Sequence, residues 1–262
     1  MRNSLSKSIV FINGAFISHT CWDEWTVYFE IEGYHCIAPA WPHKDAPAEE
    51  LRNRPPNDAI AKNTIASLTD YFASIINLLP EKPILVGHSV GGLVVQLLLQ
   101  RGLASAGVAM HAFPPRGVSR FRISFLRAIW STMMVFTSGR EIYMMSFRKW
   151  KKTIANRLSC DQQKESYYKY AVPESKKIIR DTFRCAATID FGKPHAPLLF
   201  TAGNKDHLIP ASLNYQNYKK YGWSNSLTDY MEFQGHTHLV FGQPAWKKEA
   251  DFILNWLQKV SN

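Results

Sequence analysis

Ile84-Leu85-Val86-Gly87-His88-Ser89-Val90-Gly91-Gly92 is the stretch whose reading decides the fold. Pro83–Val86 reads as a short buried strand, and Gly91–Gln100 as an apolar helix. Between them stands G-x-S-x-G. A sharp turn there lifts the Ser89 hydroxyl clear of a sheet, and the small residues two before and two after it let strand and helix approach closely. The helix N-terminus then directs backbone N–H groups at a reacting oxygen. The bare pattern is also met in Gly-rich turns that carry an ordinary Ser. Its position between strand and helix is what makes Ser89 a candidate nucleophile.

Working outward, Ser8–Ile12, Tyr34–Ala38, Gly107–Met110, Leu198–Thr201 and Ser226–Phe233 read as further strands. Trp22–Glu32, Ile60–Leu79 and Trp246–Leu257 carry apolar residues at helical spacing. Strands alternating with helices predict an α/β fold, a mostly parallel sheet of about six strands covered on both faces. Residues 113–196 interrupt this alternation with no convincing strand pattern. Their Trp130, Met133, Met134, Phe136, Tyr143, Met144, Met145, Phe147 and Trp150 suggest helices. The expected organisation is a core of residues 1–112 and 197–262 with a helical cap, 113–196, inserted above the sheet.

A Ser hydroxyl needs a base, and on a strand–G-x-S-x-G–helix frame a carboxylate and then a His should follow it. Thr201-Ala-Gly-Asn-Lys-Asp206 stands just after the fifth strand, where a carboxylate can orient an imidazole. Asp206 also suits the simpler role of a turn or helix-cap residue before Ala211. Phe233-Gln-Gly-His236-Thr-His238 follows the last strand and offers two imidazoles; spacing alone does not choose between them. The oxyanion donors expected are the N–H of Val90 and, from Asn13-Gly14-Ala15-Phe16 after the first strand, that of Ala15. Phe16, His88 and whichever of the two imidazoles is not the base are candidates to line the pocket.

The chain resembles the α/β-hydrolase superfamily along essentially its whole length. It looks closest to small cap-bearing esterase, lipase and lysophospholipase-like members. Plant methylesterase and hydroxynitrile-lyase-like enzymes share Gly14-Ala15 and the spacing to Trp22. More narrowly, Ala38-Pro-Ala-Trp-Pro42, Gly87-His-Ser-Val-Gly-Gly92, Pro114-Pro-Arg-Gly117 and Gly235-His-Thr-His238 resemble a bacterial subgroup whose last motif reads G-R-S/T-H. The resemblance implies that His238 is the base and that His236 stands where the subgroup has Arg. Asn13 departs from the superfamily, which usually has His before the Gly. A Ser nucleophile argues against the dehalogenase and epoxide-hydrolase branches. The implied activity is cofactor-free hydrolysis of a carboxylic ester with an acyl or apolar part. The rival readings are a lyase or perhydrolase on the same triad, and a ligand receptor or pseudoenzyme.

Composition narrows the classes further. No metal-ligand cluster, phosphate loop or dinucleotide fingerprint is legible. The four cysteines form no C-x-x-C pair, and the polar N-terminus lacks a secretory pattern, so a cytoplasmic protein with reduced thiols is expected. No run approaches the ~18 apolar residues of a membrane span. The net charge of +10 is uneven: residues 113–196 hold 17 Lys/Arg against six Asp/Glu, a formal +11, leaving −1 for the rest. A near-neutral body argues against a nucleic-acid partner. Basic residues beside large apolar ones, as in Arg140–Lys152, suit contact with an anionic lipid surface. The sequence is silent on oligomeric state.

Overall fold

The computed structural model describes residues 6–55, 59–118, 141–242 and 246–261. Strand β1 (Ser8–Ile12) explains much of the architecture: Ile9, Val10, Phe11 and Ile12 are all inaccessible to water. A strand apolar on both sides must be covered on both sides, and that is the condition of a central strand in a parallel sheet. The other strands are β2 (His35–Ile37), β3 (Ile84–His88), β4 (Ala106–Met110), β7 (Leu198–Gly203) and β8 (Thr228–Phe233). Their order is β2-β1-β3-β4-β7-β8, and every pairing is parallel.

The chain runs from β1 outward to β2, then returns past β1 to place β3 on its other side. Right-handed crossovers put the helices of these two movements on opposite faces. On one face, α1 (Asp23–Ile31) meets the last helix, α9 (Trp246–Ser261), where Tyr28 hydrogen-bonds Asp251 and the Trp25 and Trp246 ring centroids lie 5.6 Å apart. On the other, α3 (Ile65–Ile76) packs against α4 (Val90–Gln100), whose residues from Val90 to Leu99 are all buried. The α8 helix (Ala211–Lys220) lies against β7 and β8. Reversal of strand order between β1 and β3 opens a crevice at the carboxyl ends of these strands, the usual ligand position in such sheets.

Two local features differ from the sequence reading. The Pro-rich stretch after β2 contains α2 (Ala48–Asn53), too short to show a helical period. Within 113–196 the described residues include α5 (Phe147–Thr153), α6 (Cys160–Tyr170) and α7 (Lys176–Asp181), together with an antiparallel pair, β5 (Ile142–Tyr143) and β6 (Glu174–Ser175). Two-residue strands carry no alternation to read. Trp130, Met133, Met134 and Phe136 lie outside the described residues. The described segment meets the loops at the carboxyl ends of the strands. Val172 N donates to Phe16 O at 3.0 Å, Asn156 Nδ2 to Lys205 O at 2.8 Å, and Leu239 N to Ile154 O at 3.0 Å. No helix among the described residues is long and apolar enough to cross a membrane.

Candidate active site

Ser89 connects β3 to α4 with φ +56° and ψ −116°, a backbone that side-chain-bearing residues rarely adopt. The neighbouring glycines make this turn physically feasible. A Cβ at Gly91 would lie 2.2 Å from Ile12 O, and one at Gly87 would lie 2.4 Å from Gly91 O. The helix therefore starts hard against the ends of β1 and β3. Val90 opens α4, so its N–H is among the first-turn amides that lack an intrahelical acceptor.

His238 and Asp206 come to Ser89 from the loops after β8 and β7. His238 Nε2 lies 3.1 Å from Ser89 Oγ, and its Nδ1 lies 2.7 Å from Asp206 Oδ2. Asp206 serves two purposes with its two oxygens. Its Oδ1 accepts from Leu208 N at 2.8 Å and Ile209 N at 2.7 Å, closing the turn into α8, and Oδ2 is left for imidazole. Turn residue and imidazole partner, separate readings in the sequence, coexist on one side chain. Burial alone would raise the Asp206 carboxyl, but His238 and a second imidazole, His111, more than offset it and hold the group well below the usual carboxylate range.

The loop after β1 reaches the same place. A Cβ at Gly14 would lie 3.0 Å from both Ser89 Cβ and His88 Nδ1, so the loop rests against the elbow at a spot that any side chain would crowd. Asn13 braces it from below: its Nδ2 donates to Ile17 O at 2.6 Å and to Gly14 O at 3.2 Å. Ala15 is buried between Gly14 and Phe16, which holds φ +67°. The Phe16 N–H turns away toward Glu174 Oε2 at 3.4 Å, and Glu174 is paired with Lys44 Nζ at 2.6 Å. Phe16 itself is buried, edge-on to Tyr143 of β5 at 5.7 Å.

His236 and His88 do not hydrogen-bond Ser89. His236 stacks on Phe233 and approaches Glu249 of α9, with Nδ1 3.2 Å from Oε2. His88 is fully buried, and its Nε2 donates to His238 O at 2.8 Å. Burial, reinforced by the nearby His238 and His111, holds His88 well below the usual imidazole range, so it is a neutral prop under the His238 loop.

His111, Glu249, Glu174 and Lys44 are the site's participants that sequence reading missed. Glu249 carried a usable signal, because it shares a helix face with the buried Ile253 and Trp256. The donor atoms of His111, Asp206 and His238 all lie within 4.8 Å of one another, which also suits a metal ion by type. Both imidazoles, however, converge on the single oxygen Asp206 Oδ2 at 2.7 and 3.1 Å, hydrogen-bond lengths that commit N–H groups rather than lone pairs.

The family model that matches residues 9–246 is described as the alpha/beta hydrolase family. No curated protein matches the sequence. Among solved structures, tomato methylketone synthase I complexed with 2-tridecanone superposes with a TM-score of 0.71 at 15% identity, covering 98% of this chain and 99% of that one. An extracellular alpha/beta-hydrolase from a Paenibacillus species gives 0.69 at 20% identity over 95% and 98%. A methylesterase from Arabidopsis gives 0.67 at 15% identity over 96% and 98%. At these identities the likeness is one of fold. With a matched model spanning nearly the whole sequence, the chain belongs to the alpha/beta hydrolase family.

Proposed function

We propose that the protein is a cofactor-free carboxylic ester hydrolase acting through an acyl-enzyme on Ser89. The observation that carries this reading is the hydrogen-bonded line from Ser89 Oγ through His238 to Asp206. Ser89 Oγ attacks the acyl carbon as His238 Nε2 takes its proton. The N–H groups of Val90 and Ala15 receive the negative charge on the carbonyl oxygen. The C–O bond to the alcohol then breaks, and the proton passes from His238 to the leaving oxygen. Water, deprotonated by His238, attacks the acyl-enzyme and releases the acid and free Ser89. Asp206 fixes the His238 tautomer and stabilises the imidazolium. Likeness of fold to a methylesterase and to polyneuridine aldehyde esterase supports the ester class. Likeness of fold to a methylketone synthase, which is not named as an esterase, keeps a lyase or perhydrolase on the same triad as the rival.

A panel of p-nitrophenyl esters of increasing acyl length tests this reading, with Ser89→Ala as the control. Turnover should appear for some members and fall on the order of a million-fold in the variant. No turnover of any ester, or a variant keeping a tenth of the rate, rejects it. We place the protein in the cytoplasm, a reading supported by four free cysteines.

We further propose peripheral contact with anionic lipid through α5, where Arg148, Lys151 and Lys152 are exposed. Trp150 and Met145 are buried beneath them, so the contact is electrostatic and does not use these side chains as anchors. Each cation near the surface contributes about 1 kcal/mol. Binding to phosphatidylserine vesicles at low salt, lost by 0.5 M salt or in Arg148→Gln/Lys151→Gln/Lys152→Gln, is the expected result; its absence at low salt rejects the proposal.

A further inference from the structure

His111 follows β4 directly and holds φ +46°, a left-handed backbone that a side-chain-bearing residue keeps only where its surroundings enforce it. Its ring is wholly buried. Nδ1 lies 3.1 Å from Asp206 Oδ2, the oxygen that also accepts from His238, and Nε2 faces Glu249 Oε2 at 3.6 Å, an ion-pair distance longer than a hydrogen bond. A neutral imidazole has one N–H and one lone pair, so it would aim the lone pair at one of these carboxylates. Only the imidazolium offers N–H to both. Gly203 keeps the space open: a Cβ there would lie 2.9 Å from His111 Cε1 and 2.3 Å from His236 O.

The titratable groups around this ring come from four elements. Asp206 comes from the loop after β7 and Glu249 from α9. The rings of His88, at the end of β3, and His238, after β8, have centroids 6.1 and 6.2 Å away. His236 reaches the ring only through Glu249. Burial opposes a charge on His111, but Glu249 and Asp206 overcome it and raise the imidazole to about 9.

We propose that His111 is a positioning residue of the Ser89–His238–Asp206 machinery: a buried imidazolium, clamped by Glu249, that shares Asp206 Oδ2 with His238. The inference rests on the triad reading of those three residues. The second N–H holds the Asp206 carboxylate in place and ionised. Its positive charge also offsets one of the two carboxylates gathered beside the catalytic line. When His238 takes the Ser89 proton, the formal charge of Asp206, Glu249, His111 and His238 together passes from −1 to zero.

The test compares wild type with His111→Asn and with His111→Asn/Glu249→Gln, using kcat and KM for a soluble p-nitrophenyl ester from pH 5 to 10. Loss of a cation this close to His238 should move the acid limb of kcat/KM upward by about one pH unit. KM should stay within about twofold and kcat should fall about tenfold. The double variant also removes the anion that the single variant strands, so it is the one expected to fold if the single does not; its acid limb moves the same way by less. An unmoved acid limb in a folded variant overturns the proposal. Histidine 15N NMR of wild type at pH 7 should show both His111 nitrogens protonated, and a lone-pair nitrogen there overturns the proposal without reference to turnover. If His111 is doubly protonated but no ester is hydrolysed, the esterase reading fails and the clamp stands.

Discussion

Lys44 Nζ lies 2.6 Å from Glu174 Oε2, with both side chains almost sealed from water. They come from the loop after β2 and from β6, and Glu174 also faces the Phe16 N–H of the loop after β1. Removing one partner leaves a buried charge without compensation, which costs about 3–5 kcal/mol. Glu174→Ala should therefore destabilise the fold by that order in urea titration. Lys44→Met/Glu174→Leu should lose much less. If the single and double variants are equally unstable, the pair contributes nothing beyond packing.

His236 and His238 should separate cleanly in kinetics. His238→Ala removes the group at Ser89 Oγ and should cost on the order of a million-fold in kcat. His236→Ala leaves that line intact and removes a donor from Glu249, so turnover should stay within about tenfold while the melting temperature drops. A larger rate loss at 236 would transfer the role of base.

The pH dependence of stability follows from His111. Its folded value, about 9, lies above the unfolded 6.5. The stabilisation is thus fully present below pH ~6.5 and is lost as pH rises through ~9, amounting to roughly 3 kcal/mol at most. Asp206 and Glu249 are both held below the usual carboxylate range, burial being outweighed by their imidazole neighbours. Their contribution is present above the unfolded carboxylate range and is lost as pH falls below it. Melting temperature should decline from pH 6.5 to 9 in wild type more steeply than in His111→Asn; equal slopes would contradict a charged His111.

Gly91 offers a test of the elbow's packing. With Ile12 O only 2.2 Å from a Cβ at that position, Gly91→Ala must displace β1 from α4. The variant should lose several kcal/mol or fail to accumulate in folded form, whereas Gly33→Ala, in open space at positive φ, should cost about 1 kcal/mol.

The order of strands and helices was legible because hydrophobic runs and glycine punctuation are local signals. So were Ser89, Asp206 and the pair His236 and His238, since each stands just beyond a readable strand. Resemblance, not spacing, separated the two imidazoles. What escaped reading was held by distance: Lys44 and Glu174 are 130 positions apart, and His111 and Asp206 are 95 apart. A single polar residue after a strand looks like any turn residue until the partners that enclose it are known. Asn13 stood out in the sequence only as a departure from the usual His, and only the fold shows its amide tying two carbonyls of the following loop.

Ser89 keeps a backbone angle that glycine would hold with no steric objection. Stability alone therefore pulls this position toward glycine, and in the mechanism we propose the hydroxyl is kept for its reactivity. In a lineage released from the need to turn over substrate, drift should replace the residue with glycine early, while the glycines on either side persist because the strand and helix cannot close without them. A relative carrying glycine at this position is then a fossil of the enzyme, still folded and no longer chemical.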